Sequence, residues 1–167
     1  YFDEGKYPQA LQWFEKVDES NLTQAEREKF TFQKGYAYFS AGKKKEASNQ
    51  FKKVENSKEY GSQAKYYLGY MSYESDDYKE ANEYFDKVDD QQKYKEKMAY
   101  YQADMNFKLG NFQKAIDLGV AAMPKATALE KSELNKIIGE SYFNLKQYDK
   151  ALPYLKEYKG KKGKWSN

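Results

Sequence analysis

The side chains able to do chemistry in this sequence are tyrosines, lysines and paired acids, because it contains no histidine and no cysteine. The chain therefore has neither the commonest general base nor a thiol nucleophile, and it has no imidazole or thiolate metal ligand. The paired carboxylates Asp76-Asp77 and Asp89-Asp90 remain. Adjacent acids in short connections are normally solvated turn residues. We therefore predict that the protein is not an enzyme and that it binds no metal and no cofactor.

Charge excludes a second class of function. The chain has 29 basic and 26 acidic residues, a formal net charge of +3, and Arg27 is its only arginine. Nucleic-acid sites favour arginine for bidentate contacts, so the scattered lysines indicate solvent faces and no nucleic-acid partner. No apolar run approaches the roughly 20 residues of a membrane-spanning helix, so we predict no membrane insertion.

Aromatic residues are the material available for a core and for recognition. The chain has 18 Tyr and 10 Phe, although its mean hydropathy is −1.13. Each buried aromatic removes roughly 150–250 Å² from water, so we expect a core of Tyr and Phe. Tyr also suits a binding surface, because its rigid ring loses little rotamer entropy and its hydroxyl forms directional hydrogen bonds.

The segment 64–88 indicates how these rings are positioned. It predicts two amphipathic helices separated by the turn Ser75-Asp76-Asp77. The first helix carries two stripes at helical spacing, namely Ala64, Leu68 and Met71, and Tyr66, Tyr70 and Tyr73. On the second helix Ala81 faces inward, and its methyl group is expected to lie against the bare backbone of Gly69.

The same hairpin pattern recurs along the chain at a period near 34 residues. Successive inward alanines are 37, 34, 34 and 36 residues apart: Ala10, Ala47, Ala81, Ala115 and Ala151. A first-helix column of small residues keeps the same register: Gly35, Gly69, Ala103 and Gly139. So do the turn column (Gly5, Gly42, Asp76, Gly110, Lys146) and the large-residue column of the second helix (Phe14, Phe51, Phe85, Gly119, Leu155). An aromatic column after the turn follows them, and five columns in one register predict a tandem array of helix hairpins.

With this period and two helices per unit, the chain resembles the tetratricopeptide repeat (TPR) family over its whole length. The resemblance implies an all-α fold, a right-handed superhelical solenoid of antiparallel helix hairpins. We predict a single solenoid fragment over 1–167: a half repeat at 1–20, repeats at 23–56, 61–90, 93–124 and 127–158, and a tail at 159–167. Both ends are expected to be cuts in a longer repeat array, since solenoids normally end in a polar capping helix.

Local signals refine this prediction. Capping boxes at Thr23-x-x-Glu26 and Thr127-x-x-Glu130 should open two first helices. Gly119 should leave either a gap or a closer helix approach, and Lys146 should be mildly strained if its turn is left-handed. Pro153 should bend the last helix or shift its start.

In TPR arrays the first helices line the concave surface, and the resemblance implies the same here. Three inward columns match in register: Phe32, Tyr66, Tyr100, Lys136; Tyr36, Tyr70, Asp104, Glu140; and Phe39, Tyr73, Phe107, Phe143. We interpret the third column as packing between neighbouring repeats. Tyr36, Tyr66 and Tyr70 are expected to be exposed, because the apolar stripe already fills the packing face of the helix at 64–74. The candidate ligand-binding residues are Phe32, Tyr36, Tyr66, Tyr70, Tyr73, Tyr100, Asp104, Lys136 and Glu140.

These features predict a protein–protein interaction scaffold that binds an extended peptide or a partner helix in a Tyr/Phe-rich groove. One TPR subgroup binds acidic C-terminal peptides through a concave clamp of Lys, Arg and Asn, but this chain has Phe or Tyr at most of those positions. Two alternatives remain open: a spacer or self-association segment of a larger bacterial envelope protein, and a carbohydrate-binding module whose rings dock on sugar faces.

The segment 60–88 also looks like the repeats of bacterial cell-envelope TPR proteins, including the outer-membrane assembly lipoproteins and the cell-division coordinator family. That likeness favours the periplasm or cell envelope over the cytoplasm. The lysine-rich tail is interpreted as a connector between repeats rather than as a site for nucleic acid or acidic lipid.

Overall fold

The computed structural model describes residues 7–88 and 92–158, which are helical and contain no β-strand. The α-helices are α1 Tyr7–Lys16, α2 Gln24–Ser40, α3 Lys44–Lys53, α4 Gly61–Glu74, α5 Tyr78–Asp86, α6 Gln92–Lys108, α7 Phe112–Ala122, α8 Ala128–Asn144 and α9 Tyr148–Tyr158. The predicted all-α class is confirmed. Within the same two ranges, every helix is too short or too polar to cross a membrane.

Three-residue turns join the helices into the hairpins α2/α3, α4/α5, α6/α7 and α8/α9. The chain forms two compact units, residues 1–89 and 90–167, so each unit contains two of these hairpins. One continuous solenoid domain stays a prediction. The predicted helix end at 1–5, the pair Asp89-Asp90 and the tail at 159–167 lie outside the described residues.

One residue of each hairpin turn adopts the left-handed conformation. Gly42 and Gly110 both have φ of +80°, while Asp76 and Lys146 have φ of 62° and 63°. This conformation costs an ordinary L-residue roughly 1–2 kcal/mol, because Cβ crowds the following carbonyl, whereas Gly adopts it freely and Asp tolerates it. The predicted strain at Lys146 is therefore present in the backbone.

Both predicted capping boxes begin helices. Thr23 Oγ1 accepts a hydrogen bond from the Glu26 N–H at 3.2 Å, and Glu26 Oε1 accepts one from the Thr23 N–H at 2.9 Å. Thr127 and Glu130 repeat the arrangement at the same distances. The hydrogen bonds from Thr23 also hold the pKa of the Glu26 carboxyl below its usual value. These local bonds explain why α2 and α8 begin where they do.

A large second-helix side chain packs directly on the glycine of its own first helix. A Cβ added to the glycine would lie 2.6–2.9 Å from that side chain in three hairpins: Gly35 with Phe51, Gly69 with Phe85, and Gly139 with Leu155. Real Cβ atoms do not approach so closely, so the glycine column is required by the large-residue column. The atoms nearest to the Cβ position of Gly69 belong to the ring of Phe85, and the expectation that Ala81 also lies against Gly69 stays a prediction.

Gly119 and Pro153 are the two irregular positions at which the sequence left alternatives open. A Cβ at Gly119 would lie 2.9 Å from Ile138 Cγ1, so the missing ring produces a closer approach by α8 and not a gap. Pro153 lies inside α9, which begins at Tyr148 after the usual three-residue turn, so the helix start is not shifted. A bend at Pro153 stays a prediction.

Replacing Gly69 by Ala tests the glycine–ring contact. Ala favours a helix by about 0.5–1 kcal/mol over Gly, but crowding a packed core costs about 1–3 kcal/mol. We therefore expect Gly69→Ala to lower the free energy of unfolding by about 1 kcal/mol in urea titrations. Ser40→Ala, at an exposed position of α2, is the control and should be close to neutral. A more stable Gly69→Ala variant would contradict this packing.

Replacing Lys146 by Gly tests the turn. Gly relieves the left-handed strain, and this gain should exceed its entropic cost of about 0.5–1 kcal/mol. We expect Lys146→Gly to raise the thermal midpoint by a few degrees, measured by circular dichroism. Asp76→Gly should gain less, because Asp tolerates φ > 0. If Lys146→Gly raised the thermal midpoint no more than Asp76→Gly does, the backbone strain at Lys146 would not be the cause of the gain.

Candidate functional site

Five aromatic rings on α2 and α4 form one connected, half-buried surface in the first unit, which we call the ring surface. Its members are Phe32, Tyr36, Phe39, Tyr67 and Tyr70. Tyr67 lies at its centre, with ring centroids 5.1 Å from Phe39, 5.5 Å from Tyr36 and 6.3 Å from Phe32. Tyr70 joins the surface through Phe39, at 5.9 Å. The rings lie within the range of favourable aromatic pairs.

Core contacts hold the ring surface in place from below. The Tyr67 ring stacks on Phe51 at 5.3 Å with an interplanar angle of 12°, and Phe51 is fully buried against Gly35. Tyr60, in the connector before α4, stacks on Phe32 at 5.2 Å. The surface is thus the outer layer of the packing between the α2/α3 hairpin and α4.

A short polar chain borders the ring surface. Tyr70 interacts with the Glu74 carboxylate one turn later on α4, and Glu74 Oε1 lies 3.4 Å from Lys44 Nζ. Burial, followed by the negative charge of Glu74, raises the pKa of the Tyr70 hydroxyl above its ordinary value. Tyr70 therefore stays a neutral phenol at physiological pH.

The candidate residues of the first unit separate into three groups. Phe32, Tyr36 and Tyr70 belong to the ring surface. The expected exposure of Tyr66 is wrong: only 8% of the residue is exposed, and its ring lies 6.1 Å from that of Phe85. Tyr73 is not a member of the ring surface; its ring centroid lies 6.0 Å from that of Tyr78 in its own hairpin.

In the second unit the predicted polar end is largely buried or paired. Asp104 is 8% exposed, and its Oδ2 lies 2.9 Å from Lys108 Nζ on the same helix. Tyr100 lies near this pair, and burial, followed by the charges of Asp104 and Glu133, raises its pKa to about 12. These groups form a packed, charge-compensated cluster.

Lys136 and Glu140 are half-buried on α8. Glu140 lines an open pocket of about 340 Å³ together with Phe143, Asn144 and Leu155. Phe143 is 56% exposed, and the only ring pair described for it is with Tyr148, at 5.1 Å. The interpretation of Phe143 as packing between repeats is therefore wrong for the described residues.

Tyr67 was not among the predicted site residues. It precedes the glycine column by two positions, and Gln33, Tyr101 and Ile137 occupy the same place in the other first helices. The doublets Tyr66-Tyr67 and Tyr100-Tyr101 were the available signal. Helical spacing alone favoured the stripe of Tyr66, Tyr70 and Tyr73, because it indicates which residues share a face and not which neighbour covers that face.

The ring surface offers apolar faces and phenolic hydroxyls, which suit binding rather than covalent chemistry. Among residues 7–88 and 92–158, no group of three or more acids could hold a metal ion. The surface can therefore provide contact area and directional hydrogen bonds through its Tyr hydroxyls.

Family comparisons agree with the hairpin geometry. Two models described as tetratricopeptide repeat match residues 32–96 and 137–161, which are 65 and 25 residues long and together cover 90 of the 167 residues. No curated protein sequence matches the chain.

Solved structures share the fold. MamA AMB-1 has a TM-score of 0.77 at 19% identity, over 96% of this chain and 85% of that one. MamA MSR-1 has a TM-score of 0.72 at 19% identity, over 95% and 88%. TPR-like repeats of a kinesin light chain-like protein of Podosopora anserina have a TM-score of 0.65 at 14% identity, over 96% and 89%. At these identities the likeness concerns the fold alone.

Alkaline titration tests the cluster around Tyr100. Its pKa of about 12 in the folded chain lies above the ordinary value of 10.0. The contribution of Tyr100 to stability is therefore complete below pH 10 and is lost as the pH rises towards 12. We expect the wild type to lose more stability over this interval than Tyr100→Phe, and the difference in tyrosinate absorbance between the two to titrate near pH 12.

Asp104→Asn provides the accompanying control. Removing the Asp104 charge should lower the pKa of Tyr100, although burial, the larger cause, remains. A difference titration that is centred near pH 10 in the wild type would contradict the described burial.

Proposed function

The chain belongs to the tetratricopeptide repeat family, and on that basis we propose that it is a non-enzymatic protein-interaction scaffold whose ring surface binds an extended peptide of a partner protein. The observation that carries the proposal is the connected set of five half-buried rings on α2 and α4. A contiguous, solvent-accessible aromatic patch on a helical scaffold is the kind of surface at which proteins are recognised.

The order of the rings favours binding. Because Tyr67 is stacked on Phe51 and Phe32 on Tyr60, the rings of the surface are held before a ligand arrives. A surface that is already ordered loses little side-chain entropy on association, and this loss is one of the main costs of binding. The surface thus offers preformed contact area.

The spacing of the rings suits an extended chain. Neighbouring centroids on the surface are 5.1–5.9 Å apart along Tyr36, Tyr67, Phe39 and Tyr70. Side chains on one face of an extended peptide repeat about every 6.5–7 Å, which is close to this interval. Because rings at these distances are already in contact, the peptide side chains would lie on the solvent-facing parts of the rings, with Tyr hydroxyls bonding to the peptide backbone.

Three finer points stay predictions. They are the place of the chain in a longer array, an envelope location, and the alternatives of a spacer or a carbohydrate module. We prefer a peptide ligand because the aromatic ring surface suits protein recognition and because the chain belongs to a family of protein-binding repeats.

Removing two outer rings tests the proposal. A phage-displayed library of random linear peptides is panned against the chain, and the affinity of each selected peptide is measured by fluorescence anisotropy. We expect Tyr36→Ala/Tyr70→Ala to weaken binding roughly tenfold or more, since an aromatic pair contributes on the order of 1 kcal/mol. Tyr67 is left in place because it also packs on the core.

Tyr142→Ala/Tyr154→Ala is the matched control. These two half-buried tyrosines lie 6.0 Å apart on α8 and α9, and their replacement should leave the peptide affinity unchanged. Circular dichroism verifies helicity in both double variants. Equal capture by the wild type and Tyr36→Ala/Tyr70→Ala, or selection of peptides that respond only to the control pair, would overturn the proposal.

A further inference from the structure

A polar pocket of about 410 Å³ lies in the first unit, beside the N-terminal half of α2. Its lining includes Arg27, Glu28 and Thr31 of α2, Lys53 at the end of α3, and Glu19 of the turn before α2. The volume is within the range of about 300–1,000 Å³ that is usual for small-molecule sites. We call this space the α2 pocket.

The next hairpin fills the aligned place with a lysine. The repeat register aligns Thr31 with Lys65, and Lys53 with Lys87. In α4/α5 the Lys65 ammonium group donates to Lys87 O, the backbone carbonyl directly after α5, at 3.4 Å. A cation is stabilised at this point because the last carbonyl groups of a helix have no partner within the helix and carry its negative dipole end.

The α2/α3 hairpin leaves the corresponding carbonyl open. Among the residues that the structure describes, no backbone N–H donates to Lys53 O. Thr31, which stands where α4 has Lys65, is only 4% exposed and its short side chain carries a hydroxyl instead of an ammonium group. The α2 pocket therefore has the acceptor of the α4/α5 arrangement without the ammonium group that occupies it there.

A second difference between the two hairpins accounts for the space. Arg27 is aligned with Gly61. A Cβ at Gly61 would lie 2.8 Å from Glu55 O, so the connector before α4 lies directly on that helix. Arg27 instead reaches its connector with a long side chain, whose Nη2 donates to Leu22 O at 3.3 Å and to Glu19 O at 3.4 Å. The chain's only arginine thus spans a distance that is closed in α4/α5.

The lining of the α2 pocket carries charges of both signs. Glu28 is half-buried, and its carboxylate accepts hydrogen bonds from Gln24 Nε2 at 3.3 Å and from Ser57 Oγ at 3.0 Å. Each carboxylate oxygen has a second lone pair, so Glu28 is still able to accept from a ligand. The Arg27 guanidinium has further N–H donors besides those of Nη2. One wall thus offers an acceptor for an ammonium group and donors for a carboxylate.

We propose that the α2 pocket binds a small zwitterion of the amino acid class. The ammonium group of the ligand donates to Lys53 O and to the Glu28 carboxylate, in the place that Lys65 takes in α4/α5. The carboxylate of the ligand accepts from the Arg27 guanidinium. A simple amine is disfavoured because Arg27 and Lys53 repel it, and a simple anion is disfavoured by Glu19 and Glu28. The site shares no lining residue with the ring surface.

Three zwitterions with increasing separation between their charges are the probes for the test: glycine, β-alanine and γ-aminobutyrate. Two matched controls, n-butylamine and butanoate, carry only one of the charges each. Each compound is titrated into the whole chain, and the backbone amide shifts are followed by NMR. We expect at least one zwitterion to bind about tenfold more tightly than either control, because a hydrogen bond to a charged group contributes at least that factor. The shifts should be largest around Glu28, Thr31 and Lys53.

Three variants assign the binding to the α2 pocket. Thr31→Lys supplies the ammonium group from the chain itself, as Lys65 does in α4/α5, and should abolish binding. Glu28→Gln keeps the shape of the side chain but removes its charge, and should weaken binding about tenfold. Ser40→Lys adds the same charge as Thr31→Lys at an exposed position of α2 and should leave the affinity unchanged. Circular dichroism verifies that each variant is folded.

Absence of binding by all three zwitterions would refute the proposal. So would a control compound that binds as tightly as the zwitterions, because the site would then recognise a single charge. Equal binding by the wild type and Glu28→Gln, or binding that persists in a folded Thr31→Lys chain, would place the ligand outside the α2 pocket and refute it as well. Peptide binding at the ring surface is measured separately with Tyr36→Ala/Tyr70→Ala, so the two proposals fail independently.

Discussion

The contact between a large second-helix side chain and the bare backbone of its first helix is the constraint on which three of the four hairpins depend. A Cβ on Gly69 would lie 2.6 Å from the Phe85 ring, so the two helices can approach this closely only without it. The α6/α7 hairpin departs from this pattern in both columns together: it has Ala103 in the glycine column and Gly119 in the large-residue column. The missing ring leaves room for a methyl group on the first helix, and Ile138 of α8 then closes on Gly119.

The ring surface is built upwards from this contact. Phe51 rests on Gly35, Tyr67 stacks on Phe51, and the surface rings Tyr36 and Phe39 lie around Tyr67. Recognition and stability therefore share side chains, because a ring that is half-buried between hairpins presents its other half to solvent. This is why outer rings such as Tyr36 are better probes of binding than Tyr67, whose removal would also open the core.

The described hairpins also show how a following helix packs on the hairpin before it. Where a following helix supplies a side chain, as Tyr67 or Ile137, the pocket between Phe39 and Phe51 or its counterpart is part of the core. Phe143 and Leu155, at the aligned positions of the α8/α9 hairpin, line an open pocket of about 340 Å³ together with Glu140 and Asn144.

The sequence by itself determined the helical hairpins, their turns and their caps, because these depend on local features: small residues at a period near 34, left-handed turn positions and Thr-x-x-Glu boxes. It also placed Phe32, Tyr36 and Tyr70 on one face. Only the tertiary structure decided exposure, burying Tyr66 and Asp104, leaving Phe143 accessible and placing Tyr67 at the centre of the rings. The physical reason is that helical periodicity fixes the direction of a side chain around its own axis, whereas burial depends on which other helix packs there and how closely its backbone permits.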